Sequence, residues 1–141
     1  MEKELSIDFE DEEKFDSNTK ILIDLYVKEI RFKMNCMIEE INGNFEGWCE
    51  LGAMLLYKVI ECKFPDLSNE VAEGSFKGNG HFWNIIDGVV VDTTIDQFGR
   101  YKPGIINKKH LKNYNIKKKV EFNKKDLNRM TEDIYPFLNI Y

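Results

Sequence analysis

The chain has 141 residues, 43% of them hydrophobic and 13% aromatic, enough to bury the core of one domain and too much apolar content for wholesale disorder. Its formal net charge is −5, and residues 1–50 carry 14 acidic against 6 basic side chains while residues 102–141 reverse this with 4 against 10. An acidic whole argues against a dedicated nucleic-acid binder, the basic last segment being explained by lysines on exposed strand and helix faces. No apolar run reaches the ~20 residues needed to cross a bilayer, and the opening Met1-Glu2-Lys3-Glu4-Leu5 lacks the apolar stretch of a secretory signal. Cys36, Cys49 and Cys62 form an odd set at even spacing, which suits neither a disulfide framework nor paired zinc ligands. These features predict a cytoplasmic protein with free thiols and neither metal nor cofactor.

In chain order, the acidic run from Asp8 to Glu13 reads as a solvated extension over residues 1–15, ahead of a single domain over 16–141. Ser17 is placed to cap a helix over residues 17–41, because Ile23, Tyr26, Val27, Ile30, Met34, Met37, Ile38 and Ile41 recur in steps of three and four and make one apolar stripe. Asn42-Gly43-Asn44 ends it. A second helix is predicted from near Gly47 to Cys62, stopped by Pro65. Residues 69–76 are β-like around Val71, with Gly74, Gly78 and Gly80 as loop punctuation. Two β-rich runs then flank Asp87-Gly88, the pair that a two-residue hairpin turn prefers. A strand over 115–122 follows, and Asn123 can cap a short helix with Asp126 at the capping-box position. The expected fold class is α+β, with helices packed on an antiparallel sheet.

The hairpin carries the chemistry. If Asp87-Gly88 is the loop, Ile86 pairs with Val89, Ile85 with Val90, Asn84 with Val91, Trp83 with Asp92 and His81 with Thr94. Period-two alternation then puts His81, Trp83, Asp92 and Thr94 on one face, with Asp92 diagonal to His81. A one-residue slip would separate them. A carboxylate there can hold one imidazole nitrogen and favour the charged ring. Cys49 follows Gly47-Trp48 in the first turn of the second helix, where the positive helix end favours a thiolate. If the helix packs so that Cys49 faces His81, the three residues have the roles of a nucleophile, its base and an orienting acid. Each residue also has a plainer structural reading: a small core cysteine, a satisfied strand histidine and a strand-ending aspartate.

Gly47-Trp48-Cys49 opening a helix, then Val71-Ala72-Glu73-Gly74, then His81-Phe82-Trp83, then Val90-Val91-Asp92-Thr93-Thr94, resembles the transglutaminase-like branch of the papain-fold superfamily, over roughly residues 44–99. The stretch Thr94-Ile95-Asp96-Gln97-Phe98-Gly99 is similar to small bacterial and phage-like members. The resemblance implies a papain-like core, with Cys49 as nucleophile, His81 as base and Asp92 as the residue that orients His81. It implies acyl transfer through a thioester on a protein or peptide amide, as a peptidase, glutamine deamidase or transamidase. Where papain-type proteases place an oxyanion-hole Gln upstream of the Cys, this chain has Asn42 and Asn44. Asn44 together with the Cys49 backbone N–H is the pair expected here. Trp48 and Trp83 are candidates to flank an acyl tunnel, with Trp83 equally suited to shielding packing, and Gln97 is a candidate substrate or oxyanion contact or a loop cap. The alternative function is a non-catalytic protein-binding module, such as an inhibitor, immunity or adaptor protein, that keeps the fold.

Overall fold

The computed structural model describes residues 9–40 and 47–140, with the side chains of residues 12 and 38–40 left aside. Among the described residues, three α-helices and a five-stranded antiparallel sheet make an α+β fold. Helix α1 is Ser17–Glu40, α2 is Trp48–Lys63 and α3 is Lys124–Thr131. The strands are β1 (Asn69–Phe76), β2 (Asn79–Ile86), β3 (Val89–Asp92), β4 (Gly104–Ile105) and β5 (Tyr114–Lys119), in the spatial order β4-β3-β2-β1-β5.

The α1 stripe packs as its spacing predicts: Ile23, Val27, Ile30 and Met34 are fully buried against α2 and the sheet. The N-terminal cap differs from expectation. The Asp16 carboxylate accepts the Thr19 N–H at 2.8 Å, and Ser17 is the first helical residue instead. Hydrogen bonds from the Thr19 backbone and side chain and from the Asn18 backbone lower the Asp16 pKa. The expected stop at Asn42-Gly43-Asn44 lies outside the described residues. Part of the acidic segment lies along the sheet: the Glu10 N–H donates to the Gly88 carbonyl at 2.8 Å, Lys14 reaches the Asp87 carbonyl, and Phe15 is buried.

The β2–β3 hairpin has the register read from the sequence, with Ile86 opposite Val89, Ile85 opposite Val90 and Asn84 opposite Val91. Asp87 and Gly88 both take positive φ (49° and 81°), the geometry a two-residue turn demands. Alternation then builds a core on each face. Ile86, Val89 and Val91 join the helices, while Trp83, Ile85 and Val90 meet Phe76, Ile95 and Tyr114 on the other side.

Gly74 is a difference from the sequence reading. It lies within β1, at the irregularity where pairing with β5 shifts register, and the turn to β2 is made by Lys77-Gly78. A side chain at 74 would collide with the Asn115 carbonyl oxygen and crowd Trp83. The strand β4 had no counterpart in the sequence reading. It is held to α1 by the Asp24 carboxylate, which accepts the Ile105 N–H at 3.0 Å. The last strand starts at Tyr114 and ends at Lys119, earlier at both ends than predicted. Asn123 caps α3 as expected, accepting the Asp126 N–H at 2.8 Å.

Gly74→Ala should cost about 3 kcal/mol, because the β1–β5 ladder must open to admit one methyl group. A urea unfolding series on the variant checks this, with an unchanged midpoint as the contrary result.

Candidate active site

The Asp92 carboxylate, fully buried, is the centre of the site. It ends β3, and its Oδ1 accepts the backbone N–H of Thr94 at 3.0 Å. That local bond fixes the rotamer and turns the chain out of the strand. Its Oδ2 accepts from two sides: from His81 Nε2 at 2.7 Å and from the Tyr114 hydroxyl at 2.7 Å. Both distances are those of hydrogen bonds to a charged acceptor. Tyr114 comes from β5, two strands beyond β2, and is itself buried. Burial, together with the adjacent carboxylate, pushes its phenol pKa strongly up, so Tyr114 stays a donor.

His81 is only 1% exposed. Burial alone would strip its proton, but the hydrogen bonds that Asp92 and Cys49 accept from the ring, and the charges of both, outweigh burial and raise its pKa from 6.5 to about 9. With Nε2 committed to Asp92, Nδ1 is the other ring nitrogen, and Gln97 Nε2 stands 3.0 Å from it. Trp83 stacks beside the ring (6.0 Å, 27°) and Phe98 meets it edge-on at 4.8 Å. This apolar collar excludes water and strengthens the Asp92 bond.

Cys49 sits half-buried in the first turn of α2, whose leading N–H groups have no acceptor within the helix. Gly47 starts that helix at φ 75° without a side-chain cap. The helix is drawn close to the end of β3 at Gly52, where an added Cβ would stand 3.1 Å from Thr93 Cγ2 and 3.3 Å from Thr94 Cγ2. Asn84 ties α2 to β2 by donating to the Ala53 carbonyl at 2.9 Å. Small residues and one amide thus hold α2 against β2 and the end of β3.

The other residues singled out from the sequence fall in different places. Gln97 lies on the 3-10 turn Ile95–Phe98, with its Nε2 3.0 Å from His81 Nδ1 and 3.4 Å from Thr94 Oγ1. Trp83 is fully buried and packs against His81 and Tyr114, whereas Trp48 belongs to the core between helices and sheet. Asn44 lies outside the described residues. Among the described residues, no three His, Cys, Asp or Glu side chains gather to hold a metal ion, and no helix is long and apolar enough to cross a membrane.

Two residues of the site escaped the sequence reading. Tyr114 preceded the predicted strand by one position, and nothing local points from it to a carboxylate 22 residues earlier. Arg31, on the polar side of α1, donates to the Thr93 carbonyl at 3.0 Å and pairs with Asp96 at 2.5 Å, pinning the turn that follows Asp92. Comparison with family models, with curated proteins and with solved structures finds no match to this chain.

Two outcomes follow. Tyr114→Phe should lose about 2 kcal/mol, the size of a buried hydrogen bond to a charged group, in urea unfolding at neutral pH. The folded protein also binds the His81 proton more tightly than the unfolded chain, so this stabilisation is complete below pH 6.5 and is lost as pH rises through about 9. The urea midpoint should fall across that window, and His81→Gln should remove that part of the fall.

Proposed function

We propose that this protein is a cysteine-dependent acyl-transfer enzyme of transglutaminase-like, papain-fold type, acting on a protein or peptide amide. The observation that carries the reading is the 2.7 Å bond from His81 Nε2 to buried Asp92, with Nδ1, where Gln97 Nε2 rests at 3.0 Å, as the nitrogen that would serve Cys49. Asp92 orients the ring and balances its charge, Tyr114 and the Thr94 N–H hold Asp92, and Cys49 supplies the nucleophile.

In the first half-reaction the Cys49 sulfur attacks the amide carbon, and the carbonyl electrons move onto oxygen. The Cys49 N–H, in the first turn of α2 where backbone donors have no acceptor within the helix, suits that oxyanion. The tetrahedral species collapses as His81 Nδ1 gives its proton to the leaving amine, and a thioester with Cys49 remains. In the second half-reaction His81 takes a proton from water or from an acceptor amine, which attacks the thioester. Water yields the acid and an amine yields a new amide. The thiolate and the charged imidazole are then restored.

The alternative, a non-catalytic binding module, draws support from Ile21, Leu25 and Phe32, which leave an apolar stripe on α1 more than half exposed. Alkylation mapped by mass spectrometry from pH 5 to 9 separates the two readings. Cys36 and Cys62 are exposed and serve as internal controls. As an enzyme, the protein should show Cys49 reacting well below the pH at which the controls react, and slowing at least tenfold in His81→Ala. A Cys49 that follows the controls in both proteins supports the binding module.

A further inference from the structure

We propose that Gln97 is a positioning residue that occupies His81 Nδ1 in the resting protein and yields that nitrogen to Cys49 when an amide substrate enters. The inference rests on the cysteine-enzyme reading of the site. Asp92 holds Nε2, so Nδ1 is the single ring nitrogen that can pass a proton to or from sulfur, and Gln97 Nε2 stands 3.0 Å from it. A ring nitrogen makes one strong in-plane hydrogen bond, so Gln97 and Cys49 compete for it. The carboxamide meets either form of the ring. Its N–H donates to a bare Nδ1, and after a half-turn its oxygen accepts from Nδ1–H.

Three further observations make the side chain, and not its backbone, the movable part. Gln97 is exposed, whereas His81, Asp92 and Thr94 are each 1% exposed or less. Its second contact, to Thr94 Oγ1 at 3.4 Å, is long and weak. The turn beneath it is clamped on both sides, by Arg31 on Thr93 and Asp96 and by Phe98 stacked on Phe76 at 5.1 Å. The amide can therefore swing into water while the turn holds still.

Its position matches the chemistry. In acylation the leaving nitrogen of the substrate must come within hydrogen-bond reach of Nδ1, and the Gln97 amide nitrogen already stands there. A substrate amide would take that place, with its leaving nitrogen accepting the proton from Nδ1–H. The titratable groups that face the ring are Asp92 from β3, Cys49 from α2 and Tyr114 from β5, while Asp96 on the Gln97 turn is engaged by Arg31.

The test compares wild type with Gln97→Met, which keeps length without the hydrogen bond, and Gln97→Ala, which removes the bulk as well. Iodoacetamide labelling of Cys49 at pH 6 is followed by mass spectrometry, and the His81 ring nitrogens by 15N NMR. Both variants should label Cys49 about fivefold faster, the size of one net hydrogen bond. Cys36 and Cys62 should be unchanged, and the His81 Nδ1 resonance should shift in both variants. Wild-type rates in Gln97→Met, or acceleration in Gln97→Ala alone, would overturn the proposal, since bulk and not the hydrogen bond would then cover the ring. If His81→Ala leaves Cys49 labelling unaffected, the enzyme reading fails, and the proposal with it. If His81→Ala slows labelling while Gln97→Met leaves it unchanged, the proposal alone fails.

Discussion

One buried carboxylate organises this protein. Asp92 is sealed from water, and a charge in that position is tolerated only when hydrogen bonds replace its lost hydration. Three donors do so, from His81, Tyr114 and the Thr94 backbone. They come from β2, from β5 and from the chain just after β3, so a single side chain ties both neighbours of β1 to the turn behind it. Removing any donor leaves part of a charge unbalanced in an apolar surround.

The same arrangement sets the electrostatics of His81. Its ring is packed among Trp83, Phe76 and Phe98, an environment that by itself favours the neutral form. Asp92 on Nε2, together with the hydrogen bond and charge of Cys49, reverses that preference. Stability and the proposed chemistry therefore draw on one proton. The pH range that keeps His81 charged is also the range in which a thiolate at Cys49 would have its counter-ion.

Much of the fold is legible in the sequence because its signals are local. The three-and-four spacing of Ile23, Val27, Ile30 and Met34 marks one helix face, and Asp87-Gly88 pins a hairpin register that brings Asp92 beside His81. Other features are settled by partners distant in the chain. Gly74 looks like loop punctuation until β5 crosses it and the Asn115 carbonyl takes the place of a side chain. Asp16 rather than Ser17 caps α1, because capping depends on which side chain reaches the free N–H groups, and both residue types qualify on composition.

The sequence by itself determined the helices, the hairpin and the pairing of His81 with Asp92, since each follows from spacing within about a dozen residues. Only the tertiary structure decided that Tyr114 completes the carboxylate's hydrogen bonds, that Arg31 clamps the following turn, and that Gln97 lies on the free nitrogen of His81. The physical reason is that a buried charge takes its donors from whatever the packing brings within about 3 Å. Packing follows sheet order and helix docking, and neither is encoded in the spacing of a single segment.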